Sequence, residues 1–368
     1  MQSLSDRGVP SEERQEARSH ALPPDWEGIR IFLEVARCGS FRSASDRLGQ
    51  GVNALRRRIE ELEHQLNTTL ITRHVDGIRI TSEGEEILAA AKRMELASFG
   101  LVRARDRAAP AIAGEVRLAV TEGLGSLWLT PRMAGLHHKF PRLLVDLSCA
   151  MKSADVLRLE ADAAIQLTKP SAPDLKVVKI GRLHAIPFAG QSYVETYGIP
   201  RTKEEFLQHR IVLQIADQTR TSEIYERLFP GIPQRGFVAM RNNASTAHVA
   251  AISNGVGIGW APTYVRTVDN SIVPIDISDD FRLPFDIWLT YHTDAGRIPR
   301  VRKIIDWVID AFDPRKFPWF GDEFVHPDHL SKESAASPLL SVVESFPKRH
   351  CDPADQSWSS AGARSRVV

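Results

Sequence analysis

Between Asp25 and Thr81 three short amphipathic segments stand one behind another, and two short β-branched runs follow at once. This order constrains the fold more than any other feature of the chain. In DWEGIRIFLEV, Trp26, Ile29, Phe32 and Leu33 fall at helical spacing, so one face is apolar. Arg37-Cys38-Gly39 ends that helix, with Gly39 suited to a left-handed cap. Ser40 then caps FRSASDRLG, whose Phe41, Ala44 and Leu48 form a short stripe with small residues in the middle. Gly49-Gln50-Gly51 is the turn into a third helix, VNALRRRIEELEHQL, which buries Val52, Leu55, Ile59, Leu62 and Leu66. The run LITRHVDGIRIT that follows predicts two strands around Asp76-Gly77, a hairpin signal.

Arg56, Arg57 and Arg58 project from the N-terminal half of the third helix, off its apolar face. Alone, RRRIEELE reads as a solvated helix face. Placed after a helix and a tight turn, it is a helix fit for a DNA major groove about 12 Å wide, with arginines to fork onto guanine or clamp phosphate. Glu60, Glu61 and Glu63 follow one to two turns later, clear of the groove. The hairpin carries Arg73, His74 and Arg79, a wing able to lie along phosphates.

These residues resemble the DNA-binding region of the LysR-type transcriptional regulators over residues 26–93. The carriers are FLEVARCGSFRSASDRL, ALRRRIEELEHQL and LITRHVDGIRITSEGEEIL, with unbroken spacing. The resemblance implies a winged helix-turn-helix, then a linker helix, then a two-lobed α/β domain like the type 2 periplasmic binding proteins. It also implies DNA contacts from Arg57, which matches an arginine of the family, and from Arg42, Asn53 and Arg56, with Arg58, Arg73 and Arg79 beside them. The chain departs where the family has Ser-Gln-Pro at the start of the reading helix; here stand Gly51, Val52 and Asn53. Arg56 replaces a serine before the matching arginine, so the operator sequence does not carry over.

Residues 1–24 are polar and end in Pro23-Pro24, the composition of a disordered arm. Residues 25–81 are the reader. Residues 82–110 read as one helix, TSEGEEILAAAKRMELASFGLVRARDR, with Ile87, Met94 and Leu101 recurring at seven and Ala91 and Ser98 beside them. Such a stripe suits either an intramolecular core or pairing with a second copy, and the resemblance implies the pair. At 1.5 Å per residue the helix spans roughly 39 Å.

Residues 114–312 alternate β-branched runs with helical segments, an α/β pattern. The expected lobes are 114–187 with 288–312, and 188–287. Loops at Thr121, at Asp217–Thr221 and at Asn242–Thr246 open helices, whose N-terminal N–H groups attract anions. Thr121, Thr219, Arg220, Asn243, Ser245 and Thr246 are therefore the candidate effector contacts; singly, each also suits a helix cap. Glu122 and Asp217 cut against a purely anionic effector and leave an amine or several hydroxyls open. Residues 313–368, rich in Ser, Pro, Asp and His, read as a mostly disordered tail.

The charge balance, 47 basic against 46 acidic residues, decides nothing about nucleic acid, because phosphate attraction is local. Three separated cysteines form neither a metal motif nor a disulfide framework, and a Cys38/Cys149 redox pair is the weaker alternative to apolar filler. No HExxH, GxSxG or P-loop is present. His137-His138 lie beside apolar Leu136 and Phe140, and GVGIG at 255–259 reads as a turn into a strand. The expectation is no enzyme, no metal and no cofactor beyond a small-molecule effector. Without an N-terminal apolar core or an 18-residue apolar stretch, it is also a cytoplasmic protein with no membrane partner. The expected partners are double-stranded DNA carrying an interrupted inverted repeat, a second or fourth copy of the chain, and RNA polymerase. A DNA-bound regulator that has lost effector sensing and a cytoplasmic solute-binding protein are the competing readings.

Overall fold

A computed structural model describes residues 24–329 apart from 75–76, 108–111, 152–154, 173 and 220. The arm at 1–23 and the tail beyond 329 lie outside the described residues. The chain falls into two compact units, one of residues up to Ala109 together with Leu157–Leu159, the other of the remainder from Pro110 on.

In the first unit, helices of seven residues or more are α1 (Trp26–Cys38), α2 (Phe41–Leu48), α3 (Val52–Leu66) and, after a hairpin, α4 (Ser82–Arg107). The boundaries follow from capping. Asp25 accepts from the N–H of Gly28 at 3.3 Å, and Ser40 from that of Ser43 at 3.1 Å. Thr81 accepts from the N–H of Gly84 at 2.9 Å, which fixes the start of α4. Gly39, at φ 65°, ends α1 in the left-handed region. Its carbonyl then accepts the N–H of Ile78 at 3.1 Å, so the same residue that stops the helix anchors the wing.

That wing is β1 (Ile71–His74) paired antiparallel with β2 (Gly77–Ile80). His74 opposes Gly77, so Gly77 already belongs to the second strand, one residue earlier than a turn centred on Asp76-Gly77 suggests. A Cβ on Gly77, at φ 131°, would come within 2.8 Å of the Gly39 carbonyl oxygen. The core of the unit joins Ile31, Phe32, Leu33, Leu55, Ile59 and Leu62 to Leu88 and Ala91 of α4. Arg37 of α1 bridges Glu34 and Glu95, tying α4 to the reader through side chains as well as packing.

The second unit is built on β3 (Gly114–Thr121), β4 (Leu143–Ala150), β5 (Ala163–Gln166), β6 (Leu175–Gly190), β7 (Ile211–Gln214), β8 (Val238–Asn242), β9 (Gly259–Pro262), β10 (Ile272–Pro274) and β11 (Leu283–His292). Its α-helices of seven residues or more are α5 (Met133–Lys139), α6 (Gln191–Tyr197), α7 (Thr221–Leu228), α8 (Ser245–Ser253) and α9 (Pro299–Ala311). The path from β3 to α5 is helical throughout, but its first turn, Leu124–Leu129, is wound as a π-helix.

One long strand makes the unit two-lobed. The first part of β6 lies beside β11, giving lobe I the order β4-β3-β5-β11-β6. The last part, Ile186 to Gly190, pairs instead with β9 and β10. A bridge from Ile258 to Ile211 carries the second sheet on to β7 and β8. The return strand β11 begins at Leu283, opposite Ala185. Lobe I is thus re-entered at 283 and not at 288; a strand continues through Phe285 and Asp286 although its alternation is clear only from Ile287.

Residues 313–329 correct the expectation of a disordered tail over 313–368. Trp319 and Phe320 are each 1% exposed. They pack edge-on against Trp128, with ring centroids 5.5 and 4.9 Å away. The Gly321 carbonyl lies 3.0 Å from Nε2 of buried His184, and Lys179 bonds Asp322 at 2.6 Å. Four aromatic-rich residues, Phe317-Pro318-Trp319-Phe320, complete the lobe I core despite their polar surroundings in sequence.

Candidate functional site

The reader presents its cations unevenly. Asn53 and Arg57 on α3, and Arg42 on α2, are exposed. Arg57 has 74% of its side chain open and pairs with Glu61, one turn away at 3.5 Å. Arg58 is half-open and shared between Glu61 at 3.1 Å and Asp25 at 3.8 Å. Arg56 leans over the Phe41 ring, 5.7 Å from its centroid, with its Nε buried and without a hydrogen-bond partner. Arg79 is exposed on β2 opposite Thr72; Arg73 pairs with Ile78 in the ladder, and its side chain lies outside the described residues. Gly51 starts α3 with no side-chain cap, so the N-terminal N–H groups of the reading helix carry no side-chain acceptor from Gly51.

Sequence reasoning missed what positions this face. Glu63, expected to be a bystander, accepts the N–H groups of Leu70 at 2.7 Å and Ile71 at 3.1 Å, fixing the wing to the end of α3. Arg47 pairs with buried Glu34 at 2.8 Å, joining α2 to α1. A Glu eight residues before a strand gives no periodic signal, so neither contact is readable from spacing.

In the second unit a cavity of about 110 Å³ lies in the cleft between the lobes. Of the six candidate effector contacts, Thr121, Thr219 and Ser245 line it. Asn243 is exposed and not part of the wall, Thr246 is exposed, and Arg220 lies outside the described residues. Most of the wall is apolar and was not foreseen: Leu124, Leu127, Leu183, Phe229, Trp260 and Phe285 among others. These six residues come from five separate elements or loops, and no linear pattern marks them as a group.

Two side chains close the cleft. Glu122, at the end of β3 in lobe I, accepts the N–H groups of Ser245 and Thr246 and, at 2.9 Å, the Thr246 hydroxyl. The helix end expected to receive an anion therefore holds a carboxylate of the protein itself. Gln218 of lobe II reaches the other way. Its Nε2 donates to the Met151 carbonyl at 2.6 Å, while its Oε1 accepts from Thr121 Oγ1 at 3.0 Å and Leu167 N–H at 3.1 Å. Gly123 permits the close approach, since a Cβ there would sit 2.7 Å from that of Ser245.

The remaining polar wall is self-contained. Gln214 Nε2 donates to Ser245 Oγ at 2.9 Å, and the Thr219 and Thr221 hydroxyls pair at 2.9 Å. Burial drives the His248 pKa down to about 4, against a smaller upward pull from its bond to the Trp260 carbonyl. The neutral ring donates Nε2–H to that carbonyl at 3.1 Å, which leaves Nδ1 to accept from Asn242 at 3.2 Å. Tyr264, wholly buried, donates to the Gly123 carbonyl, and burial raises its pKa. Among the described residues no cluster of His, Cys, Asp and Glu could hold a metal ion. Burial raises the pKa of both Cys38 and Cys149, the opposite of an activated thiolate.

Residues 26–85 match the model of the bacterial regulatory helix-turn-helix protein of the lysR family, and residues 110–313 match the LysR substrate binding domain. The chain belongs to the LysR family. It is a DNA-binding transcription regulator joined to an effector-binding domain, and its relatives carry matching names. A relative from Xanthomonas campestris pv. campestris, named an HTH-type transcriptional regulator, is 27% identical over 300 residues, covering 77% of this chain and 85% of its own. The probable HTH-type transcriptional regulator LtrA of Klebsiella pneumoniae is 22% identical, with 79% and 94% covered. Among solved structures, a full-length single-residue variant of AphB superposes with a TM-score of 0.50 at 22% identity, covering 77% of this chain and 97% of its own, a likeness of fold. Among the described residues no helix is long and apolar enough to cross a membrane.

Proposed function

We propose that α3 reads an interrupted inverted repeat in duplex DNA, with Arg57 and Asn53 at base edges and Arg42, Arg58, Arg73 and Arg79 on phosphates. Arg56 acts at one remove, bracing α2 against α3 from its place over Phe41. The observation that carries this reading is the exposure of Arg57 and Asn53 on the first turns of α3, beside an uncapped helix start. Weak i,i+4 pairing with Glu61 leaves the Arg57 guanidinium available, because exposed pairs of this kind hold by only about 0.3–0.5 kcal/mol.

The protein acts in the cytoplasm as a homo-oligomer, carries out no catalysis, and needs no cofactor. A small molecule in the interlobe cavity changes the balance of lobe arrangements, and through it the engagement of DNA and RNA polymerase. The alternative of a regulator without effector sensing draws support from the cleft being closed by Glu122 and Gln218. A cavity of about 110 Å³ behind those contacts favours a sensing protein.

Fluorescence anisotropy on the upstream intergenic duplex, against a scrambled duplex and across a salt series, tests the reading. Arg57→Ala should weaken binding to the native duplex about tenfold or more and narrow its preference, as loss of a base contact does. Equal, weak binding of the unaltered protein to both duplexes would refute sequence-specific reading by α3.

A further inference from the structure

We propose that the interlobe cavity takes an uncharged, mainly apolar molecule of about the bulk of one aromatic ring, and discriminates against carboxylates. This rests on the reading of the cavity as the effector site. Three observations carry it. Among the described residues, the wall contains no Lys, Arg, Asp or Glu. Its one titratable imidazole, His248, is engaged by the Trp260 carbonyl and Asn242. The helix end that would welcome an anion is filled by Glu122, whose carboxylate spans Ser245 and Thr246.

Among the described residues, a carboxylate entering this cavity would find no counter-ion in the wall, and the Ser245 and Thr246 N–H groups of α8 are already taken by Glu122. It would also meet the negative charge of Glu122 at the end of β3. Burying an uncompensated charge is strongly unfavourable, whereas an apolar ring gains from the area it hides. Each polar side chain of the wall already has a partner within the protein, so a neutral ligand leaves none stranded. For scale, an apolar cavity of about 150 Å³ accepts benzene, and this one measures about 110 Å³. A slight parting of the lobes at Gln218 would admit a single ring. The fold thus supplies its own anion where an acidic effector would dock, and selects for what lacks one.

One ring with three charges tests this: toluene, benzoate and benzylamine, titrated into the full-length protein at pH 7.5 and followed by calorimetry and by Trp fluorescence, with Trp260 in the wall. Toluene should bind at least about tenfold more tightly than either charged analogue. In Glu122→Ala the α8 N–H groups are released, and benzoate should gain about tenfold. Glu122→Gln keeps the size and one acceptor, and checks the charge effect should the alanine variant fold poorly. It too should narrow the gap between benzoate and toluene. Benzoate binding the unaltered protein as tightly as toluene would overturn the proposal while leaving the cavity as the effector site. Should none of the three bind, both this proposal and the effector reading of the cavity fall.

Discussion

His248 is held neutral in the folded protein, because burial takes its pKa from 6.5 to about 4. The folded state then binds fewer protons than the unfolded state between those values. Its contribution is fully present above pH 6.5 and is lost as pH falls toward 4, by as much as about 3 kcal/mol. Melting temperatures followed from pH 7 to 4.5 should therefore decline less steeply in His248→Gln than in the unaltered protein. Parallel curves would mean that the ring is solvated. The same residue shows where sequence legibility ends at this scale. A histidine on an apolar helix face is visible in AHVAAIS, but its partners, Asn242 and the Trp260 carbonyl, are set by how β8 and β9 flank α8. Glu122 was visible as an acid in an otherwise anion-friendly loop. That it would cap α8 of the other lobe depends on a closure no spacing encodes.

At the level of elements, caps and turns were the most legible features, since each is a local match between a side chain and nearby N–H groups. Ser40 and Gly39 both act where their residue types indicate. The segment after α9 was not legible, because two buried aromatics in a polar stretch have no period. Its stability consequence is large. Trp128 sits among Phe317, Trp319 and Phe320, and donates its own Nε1–H to the Ala311 carbonyl at 2.9 Å. Trp319→Ala or Phe320→Ala should each lower stability by about 3–5 kcal/mol, the usual range for emptying an aromatic site. Chemical denaturation of the full chain, read by fluorescence and circular dichroism, would show it. A loss below about 1 kcal/mol would mean that 317–320 merely rests on the domain. The family-matched region ends at 313, yet Trp319 and Phe320 beyond it are buried in the core, so removal of this strap should unfold lobe I rather than trim it.

At the scale of the whole molecule, the exposure along α4 is what matters. Its early turns are committed to the reader through Leu88 and Ala91, both buried, and Arg37 grips Glu95. The seven-residue stripe read from sequence therefore divides. Ile87 packs partly on the reader core, whereas Met94 at 43% and Leu101 at 76% exposure stand open with Val102 beside them. Leaving such side chains in water is unfavourable, and pairing two copies of α4 along Met94 and Leu101 would cover them. A dimer also doubles the reading helices, which turns one modest half-site contact into a tight and selective one. Leu101→Glu should then shift the protein toward monomer in light scattering at micromolar concentration. It should also weaken binding to a two-half-site duplex far more than binding to a single half-site. Equal weakening on both duplexes would locate the damage in the reader itself, and an unchanged mass would place the subunit contact elsewhere than on α4.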